Sequence, residues 1–132
     1  MNKVVARFSD GRLIRGLTND FDPAKDQFHI EVADAPAGAK AAEVQTKELK
    51  ALFFVKDYAG NPQHQERKEF DPSKPSIGRK IRVLFKDGEM LVGYTQGYQR
   101  GRPGFFLIPA DADSNAERCY VVSSATREIA FV

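Results

Sequence analysis

The chain has 132 residues, with 20 basic and 18 acidic side chains, one cysteine and no tryptophan. That length is one ordinary domain, and 42% apolar with 29% charged residues is the composition of a globular protein rather than a disordered tail or a fibre. A net charge of +2 is too small for a nucleic-acid sponge or a polybasic membrane anchor, and no apolar run approaches the ~20 residues of a membrane span.

In chain order the residues read as short strands. Val4 to Phe8 alternates, and Asp10-Gly11 follows as a hairpin signal. Arg12 to Asn19 returns, and Asn19 to Asp26 is an Asp-rich loop. Gln27 to Ala33 is a third strand, and Ala35-Pro36-Ala37-Gly38 breaks the chain. Glu43 to Thr46 and Leu49 to Val55 make two more. Residues 56–80 are irregular: they hold Gly60-Asn61-Pro62, Asp71-Pro72-Ser73 and Lys74-Pro75-Ser76, with two helical turns expected over Gln63 to Phe70. The strand pattern then resumes with Ile81–Phe85, Asp87-Gly88, Glu89–Gln96, Phe105–Ile108, Arg118–Val122 and Glu128–Val132.

The second series repeats the first at an offset of 77. Phe8 meets Phe85, Asp10 meets Asp87, Gly11 meets Gly88, Gly16 meets Gly93, Thr18 meets Thr95, Phe28 meets Phe105, and Phe54 meets Phe131. Conservative pairs fill the gaps, among them Val4 with Ile81, Phe21 with Tyr98 and Leu52 with Ile129. The expected organisation is therefore repeat one (1–55), connector (56–80) and repeat two (81–132). The charges follow it. Residues 1–55 carry eight basic and eight acidic groups, 81–132 six and six, and the connector six and four, so the whole excess sits in the connector.

The hairpin register follows from the cost of burying an arginine. A two-residue turn pairs Phe8 with Leu13 and points Arg15 inward. A turn with a bulge at Gly11 pairs Ala6 with Ile14 and Val4 with Gly16 and points Arg15 to solvent, which is the preferred register. It puts Gly16 and Gly93 on the inner face, where a strand can bend sharply.

The run Val4-Val5-Ala6-Arg7-Phe8-Ser9-Asp10-Gly11-Arg12-Leu13-Ile14-Arg15-Gly16, ending in Phe21-Asp22, resembles the first motif of Sm-like proteins, and Ile81–Phe85, Asp87-Gly88 and Gly93 match it in repeat two. The resemblance implies an all-β fold of two tandem five-stranded SH3-like (Sm-like) small barrels joined by an irregular connector. Sm-like proteins bind uridine-rich RNA through the loop after the second strand and through a second motif with Arg-Gly. Here the loop position holds Asp26 and Pro103, and Lys50–Asp57 has no Arg-Gly. An acid facing phosphate repels and Pro removes a donor, so RNA binding does not carry over. The segment Leu49–Asp57 with Gly60-Asn61 also resembles a signature of duplicated bacterial domains of unknown function, which implies no activity. PilZ-type domains bind cyclic di-GMP, but Asp71-Pro72-Ser73-Lys74-Pro75-Ser76 ends in Ser where Gly is required, and Gln63 stands four residues before Arg67, where the paired Arg would be.

No metal or cofactor frame is visible. His29, His64 and Cys119 lack ligand neighbours at finger or ribbon spacing, and Cys119 reads as a small strand residue. Asp20, Asp22 and Asp26 read as a solvated turn rather than a calcium loop. The aromatics are more informative. Phe53-Phe54 and Phe105-Phe106 are adjacent on strands and point to opposite faces. One of each pair fills its own barrel, and the other meets the other repeat, the connector or another protein. Phe53, Phe70 and Phe106 are the expected inter-repeat interface, and Tyr94, Tyr98, Arg100 and Arg102 the expected exposed interaction patch. The reading is a cytoplasmic, non-catalytic bacterial binding or adaptor module for protein partners, monomeric or dimeric and without cofactor. Single-stranded RNA or a cyclic dinucleotide on the Tyr98–Arg102 loop is the second reading.

Overall fold

The computed structural model describes residues 1–58, 68–70 and 78–132. The expected helical turns of Gln63 to Phe70, the Asp71–Ser76 segment and His64 lie largely or wholly outside the described residues. The elements are β1 (Asn2–Phe8), β2 (Leu13–Thr18), β3 (Gln27–Val32), β4 (Ala42–Gln45), β5 (Leu49–Val55), β6 (Arg79–Phe85), β7 (Met90–Thr95), β8 (Gly104–Pro109), β9 (Ala116–Val122) and β10 (Thr126–Phe131). Single 3-10 turns, Thr46–Glu48 and Ser123–Ala125, precede β5 and β10.

All ten strands are antiparallel and lie in one sheet, in the order β10-β6-β7-β8-β9-β5-β1-β2-β3-β4. The fold is all-β as expected, with the ten strands in one sheet rather than in a closed barrel. Within each half the strands follow the same cyclic order, but the ends do not close: β4 and β10 are the terminal strands of the sheet. The physical cause is the edge-to-edge pairing of β5 with β9, which satisfies backbone groups that each half would otherwise leave open.

The two halves build their hairpins alike. Val4 pairs with Gly16 and Ala6 with Ile14, as Ile81 pairs with Gly93 and Val83 with Leu91. Arg15 is exposed and Gly16 buried. The Phe8 N–H donates to the Arg12 carbonyl at 2.9 Å, and the Phe85 N–H to the Glu89 carbonyl at 2.8 Å. Gly11 sits at φ 95° and Gly88 at φ 93°, a conformation that disfavours side chains. At Gly16 a Cβ would lie 2.1 Å from the Glu31 carbonyl oxygen, and at Gly93 2.2 Å from that of Ile108. The third strand crosses so closely that only glycine fits.

Just beyond that crossing, the Thr18 hydroxyl donates to the His29 carbonyl at 2.7 Å and the Thr95 hydroxyl to the Phe106 carbonyl at 2.8 Å. Both threonines are buried. They pin the second strand of each half to the third, beyond the last register pairs, Leu17–Glu31 and Tyr94–Ile108. A buried hydroxyl without such a partner is costly, which accounts for Thr at both equivalent places.

Two cores result, and each borrows from the other half. The first holds Val4, Ala6, Phe28, Ile30, Leu52 and Phe54 together with Tyr120 and Val122 from β9. The second holds Ile81, Val83, Phe85, Phe105 and Leu107 together with Ala51 from β5. Alternate residues of β5 and β9 thus face different cores. Strands buried on both faces read as nearly continuous apolar runs, and β5 is Leu-Lys-Ala-Leu-Phe-Phe-Val.

Candidate functional site

The join between the halves is an aromatic cluster. Tyr120 lies edge-on to Phe21 with ring centroids 5.1 Å apart and to Phe106 at 5.2 Å. Phe21 also meets Phe28 at 5.0 Å and Phe54 at 6.0 Å. Edge-on pairs place positive ring edges against negative faces. The Arg118 guanidinium of β9 sits over Phe54 at 4.2 Å and over Phe106 at 5.0 Å. Phe106 packs on the first core and Phe53 on the second. Each of these two rings therefore crosses to the other half.

Phe70 lies elsewhere. It stacks edge-on against Tyr94 at 5.3 Å, with the Lys80 ammonium 5.4 Å from its ring centre. Tyr94 is 6% exposed, so this member of the expected patch is covered. Alternation points it away from the core, and the connector ring shields it there. The other three part company. Tyr98 and Arg100 line a groove along β10. Arg102 turns to the loop end, its Nε donating to the Gln99 side-chain oxygen at 2.7 Å.

One ion cluster ties the halves together. Lys50, nearly buried on β5, donates to Asp87 at 2.7 Å and to Glu89 at 2.5 Å on the β6–β7 hairpin. Its ammonium also lies 4.7 Å from the Phe85 ring centre. Burial lowers the Lys50 pKa, but the two carboxylate hydrogen bonds outweigh it, and the net shift is upward from 10.5. The hydrogen bond from Lys50 holds Asp87 below its ordinary 3.8, aided by the Glu89 N–H. A charged residue inside an apolar strand was the sequence signal for this pair.

Two of the grooves among the described residues bear on the site. The larger, about 780 Å³, lies at the loop end between the halves and is lined by Lys25, Thr46, Lys47, Arg102, Tyr120 and Ser123, among others. Thr46 and Ser123 occupy equivalent places at the starts of the two 3-10 turns. The Thr46 hydroxyl is buried without a hydrogen-bond partner, and burial pushes the Tyr120 phenol above its ordinary value. The smaller groove, about 440 Å³, holds Tyr98, Arg100, Arg127, Glu128, Ile129 and Phe131. Phe131 is 38% exposed there.

The Asp-rich loop is held by protein donors. Burial raises the Asp20 pKa, but the His29 N–H, the His29 ring and the Thr18 hydroxyl all bond its carboxylate, and the net shift is downward. The His29 Nδ1 is 2.8 Å from it. Asp22 accepts from the Ala24 N–H at 2.9 Å. Among the described residues no three His, Cys, Asp or Glu side chains are grouped to hold a metal ion. Cys119 is fully buried in the second core. Among the described residues no helix is long and apolar enough to cross a membrane.

These features define an all-β protein of two like halves zipped into one sheet, with open grooves at the loop end and along one terminal strand. The chain belongs to a family of unknown function (DUF6982), whose model matches residues 1–132. No curated protein and no solved structure matches it.

Proposed function

We propose that the chain is a cytoplasmic, non-catalytic bacterial adaptor module that binds a protein partner. It is read as two SH3-like (Sm-like) barrels related by duplication, monomeric or dimeric and without cofactor. The observation that carries this reading is the β10 groove, where exposed Phe131 and partly buried Tyr98 and Ile129 lie beside Arg100 and Arg127. Apolar surface rimmed by arginine is the composition of binding patches. The test has two arms. Crosslinking through a photoreactive residue at position 100, followed by reconstitution with the purified partner, is expected to give a saturable complex. Turnover of any substrate that a single point substitution abolishes overturns the reading.

A second reading rests on the larger groove. Lys25, Lys47 and Arg102 line it together with the unpartnered Thr46 hydroxyl, three cations against Asp22 and Asp26, and this basic excess favours single-stranded RNA or a cyclic dinucleotide. A salt titration with short RNA and cyclic dinucleotides decides it. Phosphate contacts give affinity that rises steeply at low salt, and absence of binding even there dismisses it.

A further inference from the structure

We infer that the β10 edge is a socket for a partner's extended strand carrying an aromatic residue beside an acidic one. This rests on the protein-binding reading and names its site. The chain holds two like sockets, one filled and one open.

The filled socket is on the first half. Strand β9 pairs antiparallel with β5, with Tyr120 opposite Leu52 and Arg118 opposite Phe54. The Tyr120 ring enters a recess formed by Phe21 and Phe54. The receiving half of this socket recurs at the offset of 77. Tyr98 stands in for Phe21, and its ring meets Phe105 edge-on at 5.0 Å, as Phe21 meets Phe28 at 5.0 Å. Tyr98 meets Phe131 at 5.4 Å, as Phe21 meets Phe54 at 6.0 Å. Ile129 stands in for Leu52.

The inserting half does not recur beside it. No strand pairs with the outer edge of β10 among the described residues. The residues equivalent to Tyr120 and Phe106 are Glu43 and His29, on β4 and β3 at the far end of the sheet. The open socket therefore offers an unpaired backbone edge and unfilled aromatic surface, the two elements of strand addition.

Charge indicates the partner's chemistry. In the filled socket the cation over Phe54 comes from the inserting strand, as Arg118. In the open socket the cation over Phe131 is the socket's own Arg79, at 3.6 Å. Arg100 and Arg127 add to it, against Glu128 alone. A strand placing an acid opposite Phe131 meets this rim, and one placing an arginine there is repelled. A second copy of the chain fits poorly. Its β4 is only Ala42–Gln45, and in the same register Glu43 would put a carboxylate, not a ring, into the recess.

The probe is a synthetic peptide of residues 116–124 carrying Arg118→Glu and Cys119→Ser, so that the tyrosine and an acid keep the β9 register. Binding to the full chain is followed by fluorescence anisotropy and by amide shifts in β10. The expected result is saturable binding with shifts along Thr126–Phe131. Affinity falls about tenfold or more for the Tyr120→Ala peptide, as for an aromatic anchor, and for the Phe131→Ala or Arg100→Glu protein, whose folding is checked by thermal melting. Absent binding, or binding indifferent to both protein variants, overturns the socket. So does a dimer of the chain alone that Phe131→Ala dissociates, which assigns the edge to a second copy. A reconstituted partner bound equally by wild type and Phe131→Ala overturns the socket while leaving the protein-binding reading standing.

Discussion

Strands β5 and β10 hold the same place in the two halves, yet one reads Leu-Lys-Ala-Leu-Phe-Phe-Val and the other Thr-Arg-Glu-Ile-Ala-Phe. The positions facing each strand's own core match: Leu52 with Ile129, and Phe54 with Phe131. The positions on the other face diverge. Ala51 becomes Glu128 and Phe53 becomes Ala130. The reason lies across the edge. Strand β5 is covered by β9 and feeds a core on each side, whereas β10 has a core on one side only. Strands β9 and β4 tell the same story, with Tyr120 and Val122 against Glu43 and Gln45. Where two copies of one pattern differ in polarity, the difference marks which edges are joined.

Three substitution pairs break or sharpen this comparison. The largest effect belongs to what the halves share. Gly16→Val and Gly93→Val each force a side chain into a carbonyl oxygen about one bond length too close. Each is expected to cost more than about 4 kcal/mol and to abolish soluble expression or a cooperative melt. The two outcomes should be alike, and a tolerant half would break the equivalence. Next come Leu52→Ala and Ile129→Ala. Leu52 is fully buried and its loss should cost about 2–5 kcal/mol in urea unfolding. Ile129 is only partly buried and should cost distinctly less.

The smallest effect comes from the cations at one equivalent position. Lys50→Met removes the hydrogen bonds to Asp87 and Glu89 and should cost about 1–3 kcal/mol. Among the described residues Arg127 donates to the Lys86 carbonyl alone, at 3.2 Å and exposed, so Arg127→Met should stay within about 0.5 kcal/mol. The pH dependence has a definite sign. The lowered Asp87 value means stability that is present above 3.8 and lost as pH falls through the folded value. The raised Lys50 value means stability present below 10.5 and lost only as pH rises through its still higher folded value. Unfolding measured at neutral pH and near pH 3 should therefore show wild type losing more stability in acid than Lys50→Met. Equal losses would leave the ion cluster without a role at the join.

Much of the local structure was legible. Asp10-Gly11 and the cost of burying Arg15 led to the hairpin register that the chain adopts, and each expected strand lies within a few residues of an observed one. The surplus of Phe53 and Phe106 was visible too, but alternation says only that such a ring leaves its own core, not what it meets. That depends on which strand edges come together, and no local pattern encodes it. Tyr94 shows the same limit. Its outward position followed from alternation, and its cover, Phe70, comes from a connector without periodicity. Lys50 and Tyr120 went unremarked, although each departs from its surroundings: Lys50 from an apolar strand, Tyr120 from its polar equivalent Glu43.

The sharing of β5 and β9 between two cores also bears on cooperativity. Removing either half exposes one face of a strand belonging to the other, so neither half has a complete interior of its own. The thermodynamic unit is the pair, unfolding as one transition rather than two. Its decisive contact joins strands far apart in the chain, and such contacts form late because a long loop must close first. Hairpin formation within each half is then fast, and the rate of folding is set by the moment the two sheets become one.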